Sequence, residues 1–355
     1  MVQANSSVPQ QPAGSKKTGW FIFSFVLIAV VGLIYVKWWP YYNKSILAIN
    51  THSIGDSILG DTSNTPFSWD SAWSYGVTYF QSVWKAAVLG ILLGSLIQVL
   101  LPAQWLLKVL GKTSFGSTAI AGLASLPGMM CTCCAAPLAV GLRKSNASVG
   151  AALAFWLGNP VLNPATLIFM TFVLSWKFTV LRVVFGLILV FGVSFLANRF
   201  AKDVQPVDLD AVIASQEKQP EGSFIARWMK SLSMMVLYVV PAYLLSVLLL
   251  GAARVWLFPE MSGAAATGII AIILFAITGM LFVIPTAAEI PIIQSMMLFG
   301  LGGGPAAALL LTLPAISLPS LIIVGKSFPK RVLAFVVTSV VVLGIICGLI
   351  GMWIL

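Results

Sequence analysis

Ser125-Leu-Pro-Gly-Met-Met-Cys-Thr-Cys-Cys-Ala-Ala-Pro-Leu-Ala-Val-Gly141 combines a helix-breaking Pro127-Gly128 pair, three cysteines and a further proline inside an apolar stretch. It reads as two short helices meeting at a break. Pro127 and Gly128 end the first helix, and Pro137 is tolerated only in an opening turn, so the second is expected to begin near Cys133 or Cys134. Cys131 to Cys134 then sit at the tip, where unpaired backbone N–H groups and the positive end of a helix dipole converge. Such a place favours anions and thiolates.

The surrounding chain has 355 residues, of which 59% are hydrophobic and 8% charged, and its mean hydropathy is +0.99. Ordinary globular chains are roughly 25% charged, so a soluble fold is excluded. Long apolar runs without period-2 alternation select an all-α polytopic membrane protein over a barrel. The net charge of +10 comes from 20 Lys and Arg scattered thinly between apolar segments, which argues against nucleic acid as a partner. No nucleotide-binding loop, dinucleotide fingerprint or nucleophile elbow occurs, so neither a primary pump nor a conventional enzyme is expected, and no cofactor is implied. The partners expected are the lipid bilayer, a small-molecule substrate and, as alternatives, a second copy of the chain or a soluble thiol-redox protein.

Residues 20–36 read as an uncleaved signal anchor with its N-terminus in the cytoplasm, ended by Lys37-Trp38-Trp39-Pro40 at an interface. Residues 40–79 are polar and read as a solvated outer loop, so residues 1–80 form a tail, an anchor and that loop. Two transmembrane repeats follow, at 81–198 and 231–355, joined by a hydrophilic cytoplasmic linker at 199–230. Treating 114–142 and 264–299 as re-entrant hairpins leaves 14 of the 20 basic residues cytoplasmic, with Lys37, Lys44, Lys85, Lys177, Arg182 and Arg254 at or near the outer face.

The two repeats share one register. At an offset of 154, Thr132 falls on Thr286, Pro137 on Pro291, Gly150 on Gly304, Pro160 on Pro314 and Asn163 on Ser317. Each half then holds one crossing, one hairpin and two crossings. That odd count turns the second half upside down, the architecture of transporters whose substrate sites lie between inverted repeats with broken helices.

Three groups of residues carry chemistry on this reading. Cys131, Cys133 and Cys134, with Thr132 between them, are candidate ligands for a soft metal or metalloid such as copper(I) or trivalent arsenic. Either Cys131 and Cys133 or Cys131 and Cys134 converge, depending on the backbone conformation, with i and i+3 sharing a helical face. Asn159 and Asn163 in Gly158-Asn-Pro-Val-Leu-Asn-Pro164 share a helix face; they either line a polar cavity or hydrogen-bond between helices. Glu289, the only acid in a strongly apolar segment, is a candidate proton carrier or a residue stabilising the first turn of a helix. Thr286 and Ser317 are the second-half counterparts that complete the candidate substrate site.

The Cys131-x-Cys133-x-x-x-Pro137 run, Gly141 and the Asn159–Asn163 segment resemble the predicted permease family that includes the ArsP-type organoarsenical efflux permeases. The resemblance is specific over residues 126–166. It implies an inner-membrane permease, some of whose relatives export trivalent organoarsenicals, with Cys131 and Cys133 as thiol ligands beside Asn159 and Asn163. Cys134 stands where that resemblance leads one to expect serine, and Thr286-Ala-Ala-Glu289 in the second half has no sulfur. The functions to be weighed are therefore a permease for a soft or thiol-reactive solute, a membrane thiol-disulfide oxidoreductase and a sulfur-compound uptake channel.

Overall fold

A computed structural model describes residues 15–59, 69–101, 103–201, 223–257 and 264–355, and every regular element among them is helical. The first helix, α1 (Ser15–Leu33), passes through a π turn (Ile34–Trp38) into α2 (Trp39–Thr51). Then come α3 (Trp69–Leu100), the short α4 (Ala103–Leu110), α5 (Phe115–Ser125), α6 (Thr132–Lys144), α7 (Val149–Val161), α8 (Pro164–Val173), α9 (Trp176–Leu187) and α10 (Ser194–Ala197). The second half runs α11 (Phe224–Leu257), the single turn α12 (Ala264–Thr267), α13 (Ile269–Leu281), α14 (Glu289–Leu298), α15 (Gly303–Ala315), α16 (Leu318–Val324) and α17 (Lys330–Ile354). Seven helical segments among the described residues are long and apolar enough to cross a bilayer, counting α7–α8 and α15–α16 as one each. The chain is a multi-pass membrane protein. Large apolar side chains point outward on its flanks, Ile270 and Leu237 among them.

The expected outer loop is only partly a loop. Helix continues through Pro40 to Thr51 and resumes at Trp69, so the first crossing is longer than the anchor read from hydropathy. Pro40 is accommodated because it falls in the opening turn of α2, where a missing N–H costs nothing. Most of the expected linker, residues 202–222, lies outside the described residues, as do Asp61 and the rest of 60–68.

The register of 154 extends from single residues to whole helices. α7 begins at Val149 and α15 at Gly303; α8 begins at Pro164 and α16 at Leu318; α9 begins at Trp176 and α17 at Lys330. Contacts follow the same exchange, since α6 packs on α16 and its counterpart α14 packs on α8, while α3 pairs with α11 and α7 with α15. Glycines set the closest approach. A Cβ on Gly94 would stand 2.6 Å from the Pro137 carbonyl oxygen, and one on Gly90 would strike the Cys134 backbone, so α3 lies directly on α6. Small residues are what allow two helix backbones to meet this way in lipid.

Helix α6 begins at Thr132, with Cys131 as N-cap, and runs through Pro137 rather than starting just before it. The chain reaches that start through Met129 in the left-handed region, at φ 48°. The sequence expectation was therefore one or two residues late: support from α3 lets a helix persist past a proline that would end an isolated one.

Candidate functional site

Cys131, Thr132, Cys133 and Cys134 are all buried. The helical start of α6 decides which sulfurs meet. Cys131 Sγ lies 2.9 Å from Cys134 Sγ, the i and i+3 pairing, and both are free thiols. Cys133 turns instead to Ser317 Oγ, at 3.2 Å, and the same hydroxyl is 3.1 Å from Thr132 Oγ1. The three sulfurs do not converge on one point, and no group of three His, Cys, Asp or Glu among the described residues is arranged to hold a metal ion.

Ser317 reaches the cysteines because it caps α16. Its side chain and that of Ser320 form a reciprocal capping box, which fixes the hydroxyl at the break between α15 and α16. Asn163, its counterpart, caps α8 by accepting from the N–H groups of Ala165 and Thr166. Asn159 spends its Nδ2 on the Phe155 carbonyl at 2.9 Å, and its Oδ1 faces Gly128 so closely that a Cβ there would collide with it. Asn159 Oδ1, Asn163 Nδ2 and Thr166 Oγ1 are buried without a partner. Both asparagines therefore combine helix capping or packing with polar atoms left over for water or solute.

Two tryptophans and two tyrosines hold the cluster; of these the sequence points only to Trp38, as an interface residue. Trp156 Nε1 donates to the Thr132 carbonyl at 3.0 Å, and Trp38 Nε1 donates to the Pro127 carbonyl at 2.7 Å. Tyr243 Oη is 3.9 Å from Cys134 Sγ and 3.1 Å from Tyr79 Oη. Tyr79 and Tyr243 also line an apolar cleft of about 320 Å3 between α3 and α11, together with Trp73, Val77, Phe80 and Leu244.

Lys37, expected at or near the outer face, is 5% exposed. Its Nζ donates to Tyr41 Oη and to Thr286 Oγ1, each at 3.1 Å. Residue 37 lies in the π turn, and a π turn inside a longer helix frequently marks a functional position. Thr286, predicted from the repeat, thus meets the first helix rather than a second cysteine cluster.

Arg182, also expected near the outer face, is completely buried and pairs with Glu289 at 3.0 Å. It also donates to the carbonyls of Pro160 and Val161 at 2.8 Å and of Leu310 at 2.6 Å. The reason is legible in the prolines. Pro164 and Pro314 have no N–H to offer the carbonyls four residues earlier, at Pro160 and Leu310, so the guanidinium supplies the donors. Glu289, in the first turn of α14, receives a cation partner that the sequence reading did not foresee.

Between these groups lies a cavity of about 10 Å3, room for one water, lined by Cys131, Thr132, Pro160, Thr286, Glu289 and Pro314 among others. The Cys131 thiol, the Thr132 and Thr286 hydroxyls and the paired Glu289 carboxylate, drawn from both halves, thus line one small space.

The scaffold is that of a multi-pass membrane protein whose broken helices, from both halves of the chain, meet at a polar centre. A family described as predicted permease, of ArsP type, matches residues 122–352, and the chain belongs to that family. It is 52% identical to UPF0718 protein YraQ of Escherichia coli (strain K12) over 324 residues, 91% of this chain and 92% of that protein. It is 23% identical to UPF0718 protein MJ0584 of Methanocaldococcus jannaschii over 330 residues, 75% of this chain and 90% of that protein. No solved structure matches.

Proposed function

We propose that this chain is a secondary transporter of the inner membrane, not an enzyme, that moves a soft or thiol-reactive small solute past Cys131, Cys133 and Cys134, with its N-terminus in the cytoplasm. The observation that carries this reading is the buried Cys131–Cys134 pair at 2.9 Å, with Cys131 lining the small cavity and the neighbouring Cys133 against Ser317 from the other half. A trivalent organoarsenical is one solute that fits. It would condense with two thiols, forming two As–S bonds, while its two hydroxyls leave as water with the thiol protons.

In this reading α5–α6 and α13–α14 are re-entrant hairpins and the halves are inverted repeats. Helix lengths support the first point: α5 with 11 residues and α14 with 10 are each about 15 Å long, half of a hydrocarbon core of about 30 Å. The exchange-symmetric packing of α6 on α16 and α14 on α8 supports the second. Transport would then proceed by rocking one half against the other around the thiols. The test is transport of methylarsonous acid into everted vesicles: Cys131→Ser with Cys133→Ser should abolish it while the protein still reaches the membrane folded. Full retained transport would remove the thiol site.

The 2.9 Å sulfur pair also favours a second reading, a membrane thiol-disulfide oxidoreductase. Trapping a mixed disulfide between a Cys131→Ser or Cys134→Ser variant and a soluble thioredoxin-like protein would support it.

A further inference from the structure

Among the described residues three charged side chains are buried, namely Lys37, Arg182 and Glu289. Arg182 and Glu289 neutralise one another at 3.0 Å, the one ion pair among those residues. Lys37 has only neutral partners, the hydroxyls of Tyr41 and Thr286 and the Tyr41 ring, 5.0 Å from Nζ to the ring centre. Lys37 is thus the one buried charged side chain among the described residues whose hydrogen-bond partners are all hydroxyls. An uncompensated cation inside a membrane protein is costly, and such residues mark the path of a charged solute or ion.

The position of that charge is specific. Thr286, held by Lys37, lines the same small cavity as Cys131 and Thr132. The backbone N–H groups of the first turn of α6 add partial positive charge on the cysteine side. Hydroxyls of Thr132 and Ser317 supply further donors. The Cys131 thiol and the Thr132 and Thr286 hydroxyls line this cavity, the Lys37 ammonium stands behind Thr286, and the one lining carboxylate, Glu289, is already paired with Arg182.

We propose that Lys37 is a substrate-binding residue and that the solute is a small anion carrying a polarizable atom such as sulfur, the negative charge meeting Lys37 and the soft atom meeting the thiols. This rests on the permease reading above and narrows its substrate class. A neutral soft solute would bring Lys37 no anionic partner, and an oxyanion without a polarizable atom would meet the thiols only as weak donors.

The experiment titrates the purified full chain with three probes, read by thermal stabilisation. Thiosulfate is the soft anion, sulfate is its isostere with oxygen in place of the terminal sulfur, and methylarsonous acid is a neutral thiol reagent. The wild type should bind thiosulfate about tenfold or more tightly than sulfate, and thiosulfate should compete with methylarsonous acid. Lys37→Met should weaken thiosulfate by about tenfold or more, the loss of a charge-assisted hydrogen bond, and leave methylarsonous acid within about twofold. Lys37→Arg should retain most of the thiosulfate affinity. Equal affinity for thiosulfate and sulfate in the wild type, or thiosulfate binding untouched in Lys37→Met, overturns the proposal. The wild-type comparison decides the matter even if Lys37→Met does not fold. The two readings fail differently: methylarsonous acid binding that needs Cys131 and Cys133, with no thiosulfate binding, sinks only the anion, whereas binding of every probe indifferent to both cysteines sinks the thiol site itself.

Discussion

Replacing Arg182 with methionine removes the cation of the buried pair and, with it, donors to three carbonyls. Glu289, 2% exposed, would be left without a counter-charge. Breaking a buried pair from one side costs about 3–5 kcal/mol, and each lost carbonyl bond adds about 0.6 kcal/mol at the strength typical of membrane interiors. Arg182→Met should therefore destabilise the protein by about 5–7 kcal/mol. Glu289→Leu should cost less, because Arg182 keeps its bonds to Pro160, Val161 and Leu310. The double variant should be more stable than Arg182→Met alone, since no uncompensated carboxylate is left behind. Reversible chemical denaturation of purified protein in mixed micelles measures all three. If the two single losses simply add in the double variant, the pair is not coupled, and the account of Arg182 as the keystone of the broken helices is refuted.

Other perturbations probe the rest of the site. Gly94→Val puts side-chain atoms into the Pro137 carbonyl and should separate α3 from α6, seen as a large loss of thermal stability in detergent. Ser317→Ala loses the cap of α16 and the contact with Cys133; it should cost about 1 kcal/mol and weaken solute binding, both measured on the purified protein. Asn163→Ala should cost a similar ~1 kcal/mol through the cap of α8 alone. Tyr243→Phe removes the hydroxyl that joins Tyr79 and faces Cys134, so a membrane-soluble maleimide entering from the apolar cleft should label Cys134 about fivefold faster, the shift expected from losing a hydrogen bond worth about 1 kcal/mol. An unchanged labelling rate would mean that the cleft does not lead to the thiols.

What local pattern controls was legible in the sequence. Breaks at Pro127-Gly128 and Asn163-Pro164 follow from backbone chemistry, and the 154-residue register follows from aligned prolines, so helix order and the meeting of Thr132 with Ser317 could be anticipated in outline. The two buried cations could not. Lys37 sits in Lys-Trp-Trp-Pro, which by composition is a membrane interface; only Thr286, 249 residues away, reveals it as a buried donor. Arg182 likewise needs partners from α7, α14 and α15. One signal was present: prolines at 164 and 314 leave carbonyls in lipid without donors, so some polar side chain had to satisfy them. The choice between sulfur pairs turned on where α6 begins, which packing against α3 determines rather than the position of Pro137.

Sided labelling gives the sharpest view of whether buried thiols form a transport site. In oriented vesicles carrying Cys347→Ser, a membrane-impermeant methanethiosulfonate would be applied to each face in turn, with modification of Cys131, Cys133 and Cys134 followed by mass. Reaction from either face, switching from one to the other when a solute gradient is imposed and suppressed by bound solute, is the predicted result. Thiols that stay unreactive from both faces under every gradient would contradict it.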